Sequence, residues 1–269
     1  MIYADDSDFP NKDKSKNDKI QQEANRILGK HSLKVNEDKW EITKIIRDKD
    51  REKELEWRKT KKLGSLLGDY EDMRNRVTKA KNMMNELEKL WPSKKVKEKR
   101  RIKIFKSITK SILTYNMSTW GLTKAQEDEF DREHRKMLRR VVGDKNMKNA
   151  QLYRRCKERK LSTDMRERRW QAFGHMLRLD EDTPCQMAMK YYFDQPTDDK
   201  KFKGRRRNTL PTCIDDDLQR TAKLMSIEVT RFENREDLEK LKDVAANRNK
   251  WKELTKHIVK CSDGDESRI

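Results

Sequence analysis

Apolar residues recur every three or four positions over most of this chain, which is the spacing of one face of an α-helix. Between residues 72 and 91, for example, Met73, Val77, Ala80 and Met84 would all face the same side. The composition favours the same structure, because 43% of residues are charged, 33% are hydrophobic, and glycine and proline number only 8 and 5. Lys, Arg, Glu, Met and Leu all favour helices. We therefore expect a mainly α-helical chain with thin cores and extended, solvated faces.

Three long helices with short connections are expected in the middle of the chain, and this arrangement predicts a helical bundle. The first covers residues 72–91, the second 94–117 and the third 123–142, where Gly143 is expected to end the helix. Beyond Gly143 the apolar pattern is weaker and predicts shorter helices around an exposed loop. These helices are expected at 149–159, 164–179, 185–192, 214–224 and 235–259, and the loop at 194–211.

The N-terminal segment predicts short β-strands in addition to one helix. Residues 2–9 are apolar at both ends and acidic in the middle, which favours a β-hairpin whose turn presents carboxylates. A helix is expected at 13–30, followed by one or two short strands within 33–46 and an extended segment at 61–67. This part of the chain is therefore expected to form a unit of mixed structure ahead of the helices.

The chain is strongly basic, with a net charge of +19 and an isoelectric point near 9.7. Positive charge of this size suits a polyanionic partner, because binding releases the counterions that condense on phosphates. We expect RNA and DNA as partners. A basic surface that binds nothing is the alternative.

Two clusters of basic residues are the candidate contacts for a phosphate backbone. The first is opposed only by Glu98, and its alternative interpretation is the solvated face of an ordinary helix. The second, on the predicted loop, could bind RNA or act as a nuclear-localisation patch. The first cluster comprises Lys94, Lys95, Lys97, Lys99, Arg100, Arg101, Lys103, Lys106 and Lys110, and the second comprises Lys200, Lys201, Lys203, Arg205, Arg206 and Arg207.

Cysteine and histidine give a weak indication of metal binding. The four cysteines form no CxxC pair, and their wide spacing fits no zinc-ribbon pattern. Cys156, His175 and Cys185 could converge on a metal, although ordinary structural thiols are the favoured interpretation. Trp170 and Phe173 would share a helix face, which is typical of a core more than of a base-stacking surface.

The sequence gives no indication of a membrane partner. No apolar stretch has the length that a membrane span requires, and no signal peptide is visible. We expect an intracellular protein, in the nucleus or the cytoplasm.

An adjacent pair of aspartates lies in the predicted N-terminal hairpin, within Tyr3-Ala4-Asp5-Asp6. Nucleotidyl transfer uses divalent cations held by hard oxygen ligands, so it needs carboxylates that project together from a rigid turn. The aspartate pair alone is weak evidence for such a site. Its interpretation depends on the ordered motifs that follow, which are Leu33-Lys34-Val35-Asn36-Glu37-Asp38-Lys39 and Lys62-Leu63-Gly64-Ser65.

This succession resembles the last palm motifs of a reverse transcriptase from a LINE-type retrotransposon, one that lacks long terminal repeats. The resemblance implies that Asp5 and Asp6 are the catalytic pair that binds Mg²⁺. It implies that Lys39 lies near the incoming triphosphate. It also implies that Leu63, Gly64 and Ser65 form the hairpin that grips the primer terminus.

Further motifs of the same family follow in order along nearly the whole chain. The resemblance therefore implies a fold that is mainly α, with a partial palm at 1–70, a helical thumb at 71–143, a basic helical region at 144–260 and a disordered tail at 261–269. The motifs are Leu113-Thr114-Tyr115, 119–123 (Thr-Trp-Gly-Leu-Thr), 138–143 (Leu-Arg-Arg-Val-Val-Gly), 169–178 (Arg-Trp-Gln-Ala-Phe-Gly-His-Met-Leu-Arg), 204–207 (Gly-Arg-Arg-Arg) and 247–251 (Asn-Arg-Asn-Lys-Trp).

Three functions are compatible with this resemblance. The chain could be a fragment of an RNA-directed DNA polymerase that retains its template–primer surfaces. It could be a non-catalytic, basic nucleic-acid-binding protein derived from a retrotransposon, or the product of a decayed reading frame. Family palms use a third carboxylate from an earlier strand, and we expect the fingers and this carboxylate to be missing from the chain. Weak or absent Mg²⁺ binding follows.

The purified chain is expected to give no primer extension when it is mixed with a template–primer, deoxynucleotides and Mg²⁺. Two carboxylates on an incomplete sheet should hold the cations too weakly for transfer. Extension by the wild-type chain that disappears in Asp5→Ala would contradict this expectation.

Overall fold

In a computed structural model, the chain forms two compact units, residues 1–68 and 69–269. The fold is mainly α-helical with small antiparallel strand pairs, so the predicted fold class is confirmed at this level. Residues 71–143 and 144–260, expected as separate regions, lie together in the second unit. The structure describes residues 2–3, 6–7, 9, 13, 15–36, 41–44, 56–194, 208–224 and 227–263.

In its described residues, the first unit contains two short antiparallel hairpins, one α-helix and a turn of 3₁₀ helix at Glu56–Lys59. Strands β1 (Ile2–Tyr3) and β2 (Asp6–Ser7) pair, as the acidic segment predicted. Helix α1 spans Lys16–Gly29. Strands β3 (Lys61–Lys62) and β4 (Ser65–Leu66) form the second hairpin.

The strands expected within 33–46 are not found in the part of that range that the structure describes. Residues 33–36 and 41–44 are in neither strand nor helix. Partial alternation of apolar residues is a weak signal, because a strand also needs a neighbouring strand to complete its hydrogen bonds.

The second unit begins with the expected bundle, but the predicted second helix is wrong as a single element. The chain turns at Ile108, which separates two shorter helices and lets both Phe105 and Leu113 reach the core. The segment 94–97 precedes the first of these helices and is not helical. The bundle comprises α2 (Asp69–Glu86), α3 (Glu98–Ser107), α4 (Thr109–Leu113) and α5 (Lys124–Val142).

Helix α5 has strong local signals at both ends. The Thr123 side chain accepts from the Gln126 backbone N–H, and the Gln126 side chain accepts from the Thr123 N–H, which completes a capping box. Gly143 ends the helix with φ of 84°, as predicted, because glycine adopts this left-handed conformation without a steric cost.

The C-terminal helices occupy the expected regions with shifted ends. The segment 235–259 is two helices, since Asn247 is extended and interrupts the helical hydrogen bonding. The last helix continues to Asp263, so the first three residues of the expected disordered tail are helical. The helices are α6 (Asn149–Cys156), α7 (Leu161–Leu177), α8 (Pro184–Asp194), α9 (Leu210–Leu224), α10 (Arg235–Ala246) and α11 (Arg248–Asp263).

The described residues of the second unit form two hydrophobic clusters, and α7 contributes to both. Its N-terminal residues Leu161 and Met165 belong to a cluster built on α2 to α6. Its later residues, Trp170, Phe173 and Leu177, belong to a cluster with α9, α10 and α11. Trp170 and Phe173 are fully buried, which confirms the core interpretation of this pair.

His134 is a polar side chain inside the first cluster, and neither of its ring nitrogens has a hydrogen-bond partner among the described residues. Its ring stacks on Phe105 at 5.9 Å between centroids and is tilted against Tyr153 at 6.2 Å. Burial lowers the pKa of the imidazole from 6.5 to about 3, because the charged form would lose its hydration without a compensating partner. His134 is therefore neutral in the folded protein at neutral pH.

We expect Gly174→Ala to destabilise the second unit by about 1–3 kcal/mol, the usual cost of overpacking a core. A Cβ on Gly174 would overlap the indole of Trp251, whose Nε1 donates to the Trp170 carbonyl at 2.9 Å. Urea unfolding followed by circular dichroism measures the change. Gly29→Ala is the matched control, because no described atom outside its own stretch of helix lies within 4 Å of that Cβ position. An equal loss in both variants would contradict the packing argument.

His134 also predicts a loss of stability in mild acid. Below pH 6.5 the unfolded chain binds a proton at this residue, whereas the native chain does not until about pH 3. The free energy of unfolding should therefore fall by about 2 kcal/mol more between pH 7 and pH 5 than in His134→Phe, which keeps the stacked ring. Parallel slopes for the two proteins over this pH range would show that the imidazole is not held neutral.

Candidate nucleic-acid interface

The residues of the predicted metal site are only partly within the described structure. Asp6 begins β2 and pairs with Tyr3, so the hairpin places it next to the turn. Asp5 and Lys39 lie outside the described residues. No group of three or more Asp, Glu, His or Cys residues that could hold a metal occurs in the described ranges.

The predicted primer-grip residues form a tight hairpin. Leu63 and Gly64 both have positive φ, 47° and 81°, and Lys62 pairs with Ser65 across the turn. Two successive residues with positive φ are typical of a type I′ turn, whose twist matches that of the flanking strands. The Leu63 side chain is exposed at the tip, whereas Ser65 is buried. The hairpin exists, and its proposed contact with a primer stays a prediction.

The possible metal ligands Cys156, His175 and Cys185 belong to three different helices, α6, α7 and α8. Cys156 is buried in the first hydrophobic cluster, and burial raises the pKa of its thiol to about 11. His175 is on the exposed side of α7. The arrangement supports the interpretation of these cysteines as structural thiols.

The first basic cluster divides into internally bonded and exposed residues. The Arg101 guanidinium donates to the Trp91 carbonyl. Lys106 Nζ donates to the Lys157 carbonyl at 2.7 Å and lies 3.0 Å from a Glu158 carboxylate oxygen. These bonds fix α3 against its neighbours, so two of the predicted phosphate contacts are structural.

Lys110 is likewise directed inward. Its ammonium lies 2.9 Å from Asp164 Oδ2 and also pairs with Glu158. Burial lowers the pKa of Lys110, but the two carboxylates outweigh that effect and raise it above its ordinary value. Lys110 therefore stays charged, and its charge is paired with carboxylates of the protein itself.

The remaining residues of the cluster form an exposed surface, here called the α3 basic surface. Their side-chain charges make no bond to any residue that the structure describes. Half of them lie in the turn before α3, and the others share the solvent face of the first turns of the helix. The α3 basic surface comprises Lys94, Lys95, Lys97, Lys99, Arg100 and Lys103.

Glu98, the one acid within this sequence, does not oppose the surface. Its carboxylate accepts two hydrogen bonds from Arg155 of α6, at 2.8 and 2.6 Å. The hydrogen bond from Arg155 lowers the pKa of the Glu98 carboxyl, so the pair stays ionised and neutralises itself. Among the described residues, none compensates the charge of the α3 basic surface.

Two cationic residues beside this surface were missed by the sequence reasoning. The bond between Glu98 and Arg155, with that from Lys106 to Lys157, places the end of α6 alongside α3. Arg154 and the Lys157 side chain are exposed there. The run of basic residues at 154–157 was visible in the sequence, but nothing indicated that it would lie next to α3.

The second basic cluster, including Arg205, Arg206 and Arg207, lies outside the described residues. Its role on RNA or in nuclear localisation stays a prediction. Among the helices that the structure describes, none combines the length and the apolar character needed to cross a bilayer.

Comparisons with known proteins leave the family open. No protein-family model matches the chain, and neither the curated proteins nor the solved structures give a significant match.

Proposed function

We propose that this chain binds the phosphate backbone of nucleic acid through the α3 basic surface, as the thumb of a polypeptide derived from a LINE-type reverse transcriptase. The observation that carries the proposal is the set of six exposed cations, each without a bond to any described residue, beside an acid that is already paired. The resemblance of the ordered sequence motifs supports the family assignment.

The geometry of the surface suits a backbone more than a base sequence. Lys99, Arg100 and Lys103 share one face of α3 by their helical spacing, and Lys94, Lys95 and Lys97 are exposed in the turn that precedes the helix. Flexible lysines that contact phosphates give affinity without sequence choice. The proposed ligand is therefore a template–primer duplex or another nucleic acid, bound largely without regard to sequence.

The internal bonds of the first cluster support this role by holding α3 in place. Arg101 bonds the turn that precedes the helix, whereas Lys106 and Lys110 bond the segment after α6. Three of the exposed cations thus lie on a helix that is held in place, and the other three lie in the turn that Arg101 bonds. A braced surface loses little conformational freedom when it binds.

The proposal for the catalytic pair is separate and depends on the resemblance alone. Adjacent carboxylates are suitable ligands for Mg²⁺, which prefers hard oxygen atoms. Asp5 and Asp6 would hold the cation, which supplies charge stabilisation for nucleotidyl transfer when a third carboxylate completes the site. The non-catalytic function requires only the α3 basic surface.

Binding to duplex DNA is expected to weaken steeply with salt. Each phosphate contact contributes about −0.9 to the slope of log K against log salt concentration, so six contacts predict about −5. Replacing Lys99, Arg100 and Lys103 together with alanine should reduce the magnitude of this slope by about 3. Fluorescence anisotropy at several salt concentrations measures both values.

The matched control replaces Lys252, Lys256 and Lys260 with alanine. These three lysines are exposed on one face of α11, and their removal lowers the net charge by the same amount. The control should keep the wild-type slope. Equal losses in the two triple variants, or a wild-type slope near zero, would refute the α3 basic surface as the binding site.

A further inference from the structure

An open pocket of about 490 Å³ lies in the second unit, where the segment after α2 meets the end of α5. Its one aromatic residue is closed to a ligand, because the Trp91 side chain is 1% exposed and its indole donates to the Met84 carbonyl at 2.7 Å. A ligand would therefore meet charged side chains and not a ring. Among the described lining residues these are Lys89, Arg139, Arg140 and Lys145, with Glu88 as the one acid.

The two arginines are held in place without being neutralised. Arg139 donates to the Met147 carbonyl at 3.0 Å and to the Asn149 side-chain oxygen at 2.7 Å. Arg140 donates through Nη1 to the Asn85 side-chain oxygen at 2.7 Å. All three acceptors are uncharged, so the guanidinium groups are oriented while their positive charge remains available to an anion.

These hydrogen bonds leave a complete donor edge of Arg140 available. No described residue accepts from its Nε or Nη2 atom, and these two atoms form the fork that binds two oxygens of one phosphate group. The Arg139 bonds use Nε and Nη2, so its Nη1 atom likewise meets no acceptor in the part of the chain that the structure describes. The arginines thus retain a fork and a further donor for an anion in the pocket.

The charge of the pocket favours an anion with more than one negative charge. Lys89 and Lys145 are exposed, and neither ammonium bonds a described residue. Four cations against Glu88 give the described lining a net charge of +3. A phosphate monoester carries about −1.5 to −2 and three acceptor oxygens, whereas each phosphodiester of a backbone carries about −1. The lining therefore suits a monoester better than a diester.

The pocket adjoins the α3 basic surface. Pro92 lines the pocket, and the α3 basic surface begins two residues later at Lys94. The Arg101 guanidinium donates to the Trp91 carbonyl, which fixes α3 against the segment that lines the pocket. A strand that follows the basic surface would thus reach the pocket with one end, where a monoester can occur.

From this geometry we infer that the pocket binds the terminal phosphate monoester of a nucleic-acid strand whose backbone lies on the α3 basic surface. Arg140 binds two oxygens of this group through its Nε and Nη2 atoms. Arg139, Lys89 and Lys145 supply the remaining positive charge. No base takes part, so the site recognises the end of a strand and not its sequence. The inference rests on the proposed function, because the same strand occupies both surfaces.

Fluorescence anisotropy with four DNA duplexes tests this inference on the full chain. One duplex has no terminal phosphate, one carries a 5′-phosphate and one a 3′-phosphate, while the fourth lacks terminal phosphates and is one base pair longer. The longer duplex adds the charge of a monoester as phosphodiesters. One phosphorylated duplex should bind about tenfold more tightly than the two without terminal phosphate, equivalent to about 1.4 kcal/mol for a charged hydrogen bond. Equal affinity of both phosphorylated duplexes and the longer duplex would overturn the inference.

Arg140→Lys should abolish most of this preference and leave the affinity for the unphosphorylated duplex unchanged. Lysine keeps the positive charge but lacks the fork of two parallel donors. Arg132→Lys is the matched control, because Arg132 is exposed on the same helix and does not line the pocket. This control should keep the preference. An unaltered preference in Arg140→Lys, or an equal loss in the two variants, would overturn the inference.

A third variant separates this inference from the proposed function. Alanine at Lys99, Arg100 and Lys103 should weaken the binding of all four duplexes by similar factors and retain the preference for a terminal phosphate. Unweakened binding, with a preference that still depends on Arg140, would refute the α3 basic surface and keep the phosphate site in the pocket. Weakened binding, with no preference in the wild-type chain, would keep the proposed function and overturn the inference.

Discussion

Arg166 of α7 lies between two carboxylates from distant parts of the chain. Its guanidinium is 2.8 Å from Asp217 of α9 and 3.3 Å from Glu127 of α5, and all three side chains are buried. The Trp170 indole donates to the same Asp217 at 3.0 Å. Removal of one member of such a network leaves a buried charge uncompensated, which typically costs about 3–5 kcal/mol. The network therefore joins the two hydrophobic clusters at one helix.

The neighbouring turn of α7 strengthens this junction. The Arg169 guanidinium donates to the Trp120 carbonyl at 2.6 Å, and the Trp120 indole donates to Asp72 at 3.1 Å. Burial raises the pKa of the Glu127 carboxyl, because the charged form loses water. A chain with few hydrophobic residues thus stabilises its interior by pairing charges around large aromatic side chains.

The same residue types have two different functions in this chain, and burial separates them. Buried Arg166 and Arg169 bond acids and carbonyls, and so hold helices together. On the surface, Lys99, Arg100 and Lys103 bond no described residue, which leaves their charge available for phosphates. Lys110 lies between these two cases. It belongs to the first basic cluster in the sequence, but carboxylates of the protein pair with its charge.

Local signals in the sequence determined the helical class, the extended segment at 61–67 and the end of α5 at Gly143. These features depend on nearby residues, because propensity, turn conformation and helix termination act within a few positions. The weak apolar pattern beyond Gly143 did not indicate that the C-terminal helices enclose a second hydrophobic cluster. Its aromatic residues, Trp170, Phe173 and Trp251, lie on two helices that meet only in the folded chain.

Only the tertiary structure decided which cations are available for binding. The sequence placed Arg101, Lys106 and Lys110 in one cluster with Lys99 and Lys103, and it could not show which charges meet a partner. Their partners, including the Trp91 carbonyl and Glu158, follow from how α3 packs against the segments before and after it. An ion pair depends on the distance between two groups in space, and for residues about 50 positions apart that distance is fixed only by the packing of the helices.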